Sequence, residues 1–196
     1  MGAQLLSIEG SRVKIEVTID LSRSMLTSEE NIQQTLNETG CIATKAALKY
    51  LDTDGSEINI AGEVMRTKGE QPKAYQTPYG EVVVERHVYQ RSGGGKTYCP
   101  LEREARIIIT STPLFAKQVE SILAYGSAPD VQRDLRENHR RPVAVSYIQR
   151  VSEAVASIIE AKEESWNYVP PKLEVEIKSV AIGLDGTCML LCDTGL

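Results

Sequence analysis

Polar and apolar residues alternate along three stretches in the first half of the chain. These stretches are residues 11–21, 58–67 and 80–90. In the first of them, β-branched residues occupy every second position: Val13, Ile15, Val17 and Ile19. A period of two is typical of a strand that buries one of its faces. We therefore predict antiparallel β-hairpins in this part of the chain.

A helical period follows the first predicted strand. Thr27-Ser28-Glu29-Glu30 has the spacing of a capping box at a helix start. Apolar residues then recur at helical intervals, at Ile32, Leu36, Ala43, Ala47 and Leu51. Gly40 predicts a break in this helix, and Asp54-Gly55 predicts its end. We expect an amphipathic helix that covers a sheet.

Three further helices are predicted between Thr112 and Glu164. Thr112-Pro113 starts the first, Ser127-Ala128-Pro129-Asp130 starts the second, and Ser146-Tyr147-Ile148-Gln149 starts the third as a capping box. The inner face of the third helix is predicted to contain Ile148, Val151, Val155, Ile158 and Ile159. Three helices with short links predict a helix-turn-helix-like unit, and a plain bundle for protein contacts is the alternative.

The last strand predicted from the sequence ends in a carboxylate. After the linker at residues 166–172, the apolar run from Val180 to Leu184 leads into Asp185-Gly186. Side chains alternate in a strand, so the small residues Ala181 and Gly183 share a face with Asp185. An open face beside a carboxylate suits a metal ion and a phosphodiester. We interpret this segment as the first strand of an RNase H-like core; a buried strand with an ordinary Asp-Gly turn is the alternative.

Other candidate sites are weaker. Gly95-Lys96-Thr97 is similar to the end of a Walker motif, but Gln90 stands where that motif needs its first glycine. Cys188 and Cys192 would lie roughly 13 Å apart in an extended strand, too far to share a metal ion. We therefore expect no zinc site.

Charge is distributed unevenly along the chain. The net charge is −5 over 196 residues, which argues against indiscriminate coating of nucleic acid. Between positions 133 and 150, however, the sequence contains five arginines and only two acidic residues, which gives this segment a net charge of +3. In a helix-turn-helix arrangement the start of the last helix would enter the major groove. The residues predicted to contact DNA are Arg133, Arg136, Arg140, Arg141, Tyr147, Gln149 and Arg150.

The sequence contains no apolar run of about 18 residues that would span a membrane. Its first residues lack the basic and apolar regions of a signal peptide. We therefore expect a cytoplasmic, nucleoid-associated protein with no membrane contact, and we also expect a homo-oligomer.

An ordered series of short motifs resembles a known family. The series is Thr77-Pro78-Tyr79-Gly80-Glu81-Val82, Arg86-His87-Val88-Tyr89, Cys99-Pro100-Leu101-Glu102, Val145–Val151 and Gly183–Thr187. It is similar to the N-terminal half of bacterial insertion-sequence DDE transposases of the Kra family, over roughly residues 27–196. The resemblance implies binding of terminal-repeat double-stranded DNA and an RNase H-like core in which Asp185 is the first catalytic acid. Such enzymes hold two Mg²⁺ ions with three acids.

The expected fold class is therefore α+β. We expect an N-terminal domain over residues 1–111 with a helix and antiparallel hairpins, and a helix-turn-helix-like unit over residues 112–165. A linker and the start of a truncated RNase H-like domain, over residues 173–196, follow. Of the three catalytic acids of the family, only the first has a counterpart in this chain, Asp185. We therefore expect a full-length enzyme to hold Mg²⁺, and we expect this chain to be inactive alone.

Two other functions remain open from the sequence. One is a stand-alone DNA-binding regulator, or a transposition inhibitor derived from a transposase. The other is different chemistry, since residues 182–187 also resemble the phosphate segment of actin-like sugar kinases. Those kinases place a residue between the Asp and the Gly, whereas Asp185 and Gly186 are adjacent.

Overall fold

The computed structural model describes residues 2–163 and residue 165. Its elements, in chain order, are β1 (Gly2–Glu9), β2 (Arg12–Thr18), α1 (Met25–Tyr50), β3 (Ile58–Ile60), β4 (Glu63–Gln76), β5 (Glu81–Arg91), α2 (Pro100–Glu104), α3 (Pro113–Leu123), α4 (Ala128–His139) and α5 (Val145–Glu163). The strands named here pair in antiparallel fashion. The predicted α+β class is confirmed for the described residues.

Strands β1 and β2 form a separate two-stranded hairpin that packs against α1. Strand β2 confirms the prediction for residues 11–21, although it ends at Thr18. Strand β1 was not predicted, because the adjacent Leu5 and Leu6 break the alternation of its sequence. The pairing register shifts between Leu5 and Ser7, so Leu6 is the extra residue of a β-bulge.

Helix α1 differs from its prediction at the start and in the middle. Its N-cap is Ser24, whose side chain accepts a hydrogen bond from the Thr27 amide at 3.4 Å. The predicted break at Gly40 is wrong, because the helix continues unbroken from Met25 to Tyr50. A Cβ at position 40 would lie 2.2–2.6 Å from ring atoms of Tyr79. The glycine therefore provides room for the tyrosine ring and does not interrupt the helix.

Strands β3, β4 and β5 form a three-stranded sheet with β4 in the centre. Strand β5 confirms the prediction for residues 80–90. The single strand predicted at residues 58–67 is wrong, because the chain reverses at Ala61-Gly62 between β3 and β4. Both turn residues have positive φ, 52° and 84°, as two-residue hairpin turns often require. Alanine at position 61 gives no turn signal, so the alternating pattern continues through the reversal.

The core of the α+β part lies between α1, the sheet and α2. Its buried side chains are Leu48, Tyr75, Val82, Val84 and Leu101. The buried Tyr75 hydroxyl donates to Glu102 at 2.8 Å, and Lys73 donates to the same carboxylate oxygen at 2.7 Å. Burial, reinforced by Glu102, raises the pKa of the Tyr75 phenol well above its usual value. The hydroxyl therefore stays protonated and ties α2 to the centre of the sheet.

Helices α3, α4 and α5 pack against one another around a second core. Its buried side chains are Phe115, Ala116, Val119, Val131, Leu135, Val143, Ile148 and Val151. Helix α4 begins with a capping box between Ser127 and Asp130, which confirms the predicted start. Helix α5 begins at Val145. The prediction that Ser146 caps this helix is therefore wrong, because Ser146 lies inside the first turn. Two residues of the inner face predicted for α5 are not buried: Ile158 and Ile159 are 43% and 48% exposed.

Hydrogen bonds join the three helices directly to the α+β part. Gln33 of α1 donates to the Asn138 carbonyl at 2.6 Å, and Asn37 donates to the His139 carbonyl at 3.1 Å. The Thr112 amide donates to the Gln76 carbonyl at 2.9 Å. At the predicted domain boundary between residues 111 and 112, the start of α3 is therefore hydrogen-bonded to the end of β4. Among the described helices, none is long and apolar enough to cross a membrane.

Candidate functional site

The first two turns of α5 are positioned by the three-helix core. Ile148 and Val151 are fully buried in that core, which turns the intervening Gln149 and Arg150 to the exposed side of the helix. Gln132 of α4 donates to the Val143 carbonyl at 2.8 Å, and this bond fixes the chain just before α5 begins. The structure therefore presents one amide and one guanidinium side by side near the start of a helix.

Arg133 and Arg136 lie one turn apart on α4, and both are exposed. Arg133 contacts Asp130 at 2.6 Å, and Arg136 contacts Glu137 at 2.9 Å. Exposed ion pairs of this kind contribute little free energy, about 0–1 kcal/mol. A phosphate group could therefore replace either carboxylate at low cost.

Arg140 ends α4 in a left-handed conformation, with φ of 54° and ψ of 37°. Its guanidinium reaches across to α1 and contacts Glu30 at 2.7 Å. Arg150, in contrast, forms no ion pair with any residue in the described part of the chain. Of the predicted arginines, Arg150 is therefore the most available for a new anionic partner.

Arg141 differs from its prediction, because its side chain is not at the surface. The residue is 5% exposed, and its Nε donates to the Thr77 carbonyl at 3.1 Å. One Nη donates to the Gln76 side chain at 2.8 Å, and the guanidinium lies 5.3 Å from the ring centre of Phe115. Burial lowers the pKa of Arg141. Its place is inside the fold, where it holds α4 and α5 against the sheet, and a phosphate cannot reach it in this conformation.

Tyr147 is also tied into the fold. It is half-buried against the three-helix core, and its hydroxyl lies 2.9 Å from Thr110 Oγ1. Burial raises the pKa of this phenol. Tyr147 therefore supports the start of α5 and is less available to DNA than Gln149 or Arg150. Asp185 and the linker at 166–172 lie outside the described residues.

A cluster that the sequence analysis missed lies where α1 ends beside β4 and β5. Asp52, Glu70 and His87 each offer a ligand atom, and these atoms lie within 4.8 Å of one another, so the three residues could hold a metal ion. His87 Nδ1 lies 3.1 Å from Asp52, whose side chain is 1% exposed. Lys49 donates to the same Asp52 oxygen at 3.2 Å and also contacts Glu70.

The ammonium of Lys49 therefore already lies between the two carboxylates that a divalent cation would need. A metal ion would have to displace it, and the imidazole favours ions such as Zn²⁺ over Mg²⁺. One part of this cluster could have been found from the sequence. The turn at Thr77–Gly80 sets the register of β4 and β5, and this register places Glu70 opposite His87. Asp52 reaches Glu70 and His87 only through tertiary packing, and no local sequence pattern predicts this contact.

The carboxylate of Asp52 should make stability depend on pH. Burial alone would raise its pKa, but hydrogen bonds from Thr53, Lys49 and His87 outweigh burial and hold the pKa below its ordinary value. A depressed pKa contributes stability above the unfolded-state pKa of about 3.9, and this contribution is lost as the pH falls through the folded-state pKa. We expect Asp52→Asn to lower the free energy of unfolding by roughly 1–3 kcal/mol at pH 7. The loss should shrink below about pH 4.

Urea melts of the wild type and of Asp52→Asn at pH 7 and pH 3.5 check this expectation. Glu57→Gln is the matched control, because Glu57 is 58% exposed and contacts only the exposed Arg66. A stability difference that is equal at both pH values would contradict the role given to the Asp52 charge.

Two surfaces thus have chemistry that a ligand could use. The start of α5 with the outer face of α4 offers arginines and an amide, and the end of α1 offers two carboxylates and an imidazole with a lysine among them. Comparison of the sequence with protein-family models and with curated proteins gave no match.

Proposed function

We propose that this protein binds double-stranded DNA through the start of α5 and the exposed face of α4. The observation that carries this proposal is the burial of Ile148 and Val151, which leaves Gln149 and Arg150 exposed in the first turns of α5. Side chains near the start of a recognition helix contact base edges in helix-turn-helix proteins. Glutamine suits adenine and arginine suits guanine.

Charge near this surface supports the same proposal. Arg133, Arg136 and Arg140 are exposed, and each has only a surface carboxylate as its ion-pair partner. Phosphate contacts of this type set the position of a protein on DNA. The carboxylates nearby also weaken non-specific attraction, as expected for a chain with a net charge of −5. Arg141 and Tyr147 act in this proposal as residues that position the helices.

We propose further that the chain is the N-terminal portion of a DDE transposase of the Kra family. The ordered motifs support this, and the three mutually packed helices fit a helix-turn-helix-like unit. Asp185 would be the first ligand of Mg²⁺ in a full-length enzyme, where the ion would activate the attacking oxygen. This part of the proposal includes a homo-oligomer that acts on DNA in the cytoplasm.

A stand-alone DNA-binding regulator is the second candidate function. It shares the DNA-binding surface, because α4 and α5 carry that surface whatever follows residue 196. The nucleotide sequence beyond codon 196 separates the two candidates. An in-frame continuation with further acidic strand ends supports the transposase, whereas a stop codon supports the regulator.

DNA binding itself is tested by fluorescence anisotropy with labelled duplexes, including terminal-repeat and scrambled sequences. We expect Gln149→Ala/Arg150→Ala to weaken binding at least ten-fold, since each good base contact contributes about 1–3 kcal/mol. Arg66→Ala is the matched control for the loss of one positive charge. Arg66 is exposed on β4, where it contacts Glu57, and its removal should change the affinity less than two-fold. Equal affinities for the double variant and the control would contradict the proposed surface.

A further inference from the structure

The outer face of α1 carries an apolar stripe along its whole length. The stripe consists of residues spaced by three, four or seven positions: Met25, Ile32, Leu36, Thr39, Ala43, Ala47 and Tyr50. With 3.6 residues per turn, these positions fall within an arc of about 80°. Met25, Leu36 and Tyr50 are 67%, 55% and 66% exposed. A stripe of this kind on an exposed helix normally packs against a partner.

The other faces of α1 are already in use. Ser28 and Thr35 are buried, and α1 packs against β1 and β2. Leu48 enters the core beneath the sheet. Gln33 and Asn37 bond to the carbonyls at the end of α4. The stripe is therefore an apolar face of α1 that the described part of the chain leaves partly in contact with solvent. Leu26, which is 67% exposed, lies outside its arc.

The side chains of the stripe change in size along the helix. The large residues Ile32 and Leu36 lie in its first half, whereas Thr39, Ala43 and Ala47 follow in its second half. We propose that the stripe is the interface with a second copy of this chain, packed antiparallel across a two-fold axis. An antiparallel arrangement places Ile32 and Leu36 against Ala43 and Thr39 of the partner subunit in the middle of the stripe, and Met25 against Tyr50 of the partner subunit at its ends. Such an interface is self-complementary, as a two-fold dimer requires.

Polar groups on the stripe are compatible with this contact. The Thr39 hydroxyl donates to the Thr35 carbonyl at 2.8 Å, so it needs no partner across the interface and can present its methyl group. Glu29 is the one charged residue within the arc. In the antiparallel arrangement it lies opposite Ala47 of the partner subunit, where a small neighbour lets its carboxylate reach solvent.

The length of α1 sets the size of the contact. Helix α1 has 26 residues and is therefore about 39 Å long. Its stripe can bury roughly 600 Å² per copy, or about 1,200 Å² in total, at the lower end of specific interfaces. Because Thr39, Ala43 and Ala47 contribute small side chains and no large anchors, we expect a weak dimer with a micromolar dissociation constant. This inference does not depend on DNA binding.

Sedimentation equilibrium of the full chain tests the proposal. The wild type should move from the 21.6 kDa monomer to twice that mass as its concentration rises through the micromolar range. Leu36→Lys should weaken the dimer at least ten-fold. The matched control is Leu114→Lys, because Leu114 is 52% exposed on α3 and lies off the stripe. Circular dichroism checks that both variants keep the wild-type helix content.

Cross-linking tests the direction of the two helices. The four native cysteines are first replaced by serine. In a mixture of Met25→Cys and Tyr50→Cys chains in this background, a short thiol-specific cross-linker should join the two variants to each other more efficiently than it joins either variant to itself. A monomer at 100 µM, a dimer that Leu36→Lys leaves unchanged, or preferential cross-linking of Met25→Cys to itself would overturn the proposal.

Discussion

Gly40→Ala is expected to destabilise this protein severely, even though the same change in an ordinary helix stabilises it. In the middle of a helix, alanine is favoured over glycine by about 1 kcal/mol. At position 40, however, the new Cβ would lie 2.2 Å from Tyr79 Cγ. Cγ stays in place when the ring rotates about χ2, so only a change of χ1, which would carry the ring away from α1 and break this contact, could relieve the clash. We expect a loss of about 3 kcal/mol or more, measured by urea or thermal unfolding.

Two further variants separate the clash from other effects of the substitution. Gly93→Ala is the matched control, because a Cβ at position 93 has no atom within 4 Å, and its effect should be below about 0.5 kcal/mol. Tyr79→Ala removes the ring, so Gly40→Ala should cost much less in that background. If Gly40→Ala raised the melting temperature of the wild type, the close contact between α1 and the β4–β5 turn would be wrong.

Arg141→Ala is expected to be the second most damaging substitution. It would leave the Thr77 carbonyl and the Gln76 side chain without their donors, and it would open a cavity beside Phe115. Hydrogen bonds from charged donors contribute about 1.5–3 kcal/mol each. We therefore expect a loss of roughly 2–4 kcal/mol in the free energy of unfolding. Arg141→Lys should rescue little, because an ammonium cannot reproduce the planar guanidinium contacts.

The neighbouring arginine provides the comparison. Arg140 has the same charge, but its side chain is 37% exposed and contacts Glu30 at the surface. We expect Arg140→Ala to change stability by less than about 1 kcal/mol. Similar unfolding curves for the Arg140 and Arg141 variants would show that Arg141 does not hold the helices against the sheet.

Local signals in the sequence were enough to identify most elements of the fold. The alternation of residues 80–90 predicted β5, and Ser127 with Asp130 predicted the start of α4. Two failures were local: the bulge at Leu6 hid β1, and the turn at Ala61-Gly62 divided the strand predicted at residues 58–67. The failure at Gly40 had a cause that is distant along the chain. Gly40 has the sequence signature of a break, and only the position of the Tyr79 ring explains why the helix needs glycine there.

The candidate sites show the same limit. Arg140 and Arg141 are adjacent in a basic segment, and sequence alone gives no reason to separate them. The left-handed conformation of Arg140 reverses the chain after α4, so that one guanidinium points outward and the other enters the core. The pairing of Glu70 with His87 was accessible from the hairpin register, whereas Asp52 joins them only when α1 packs on β5.

The most direct test of the proposed function is the salt dependence of DNA binding. The exposed arginines Arg133, Arg136 and Arg150 are expected to contact phosphates or bases on the duplex. Each phosphate contact contributes about 0.9 to the slope of the logarithm of the association constant against the logarithm of salt concentration. The triple alanine variant should therefore bind more weakly than the wild type, with a slope shallower by about 2–3. Identical slopes for the two proteins, or no binding of duplex DNA by the wild type at about 50 mM salt, would contradict the proposal that α4 and α5 form a DNA-binding surface.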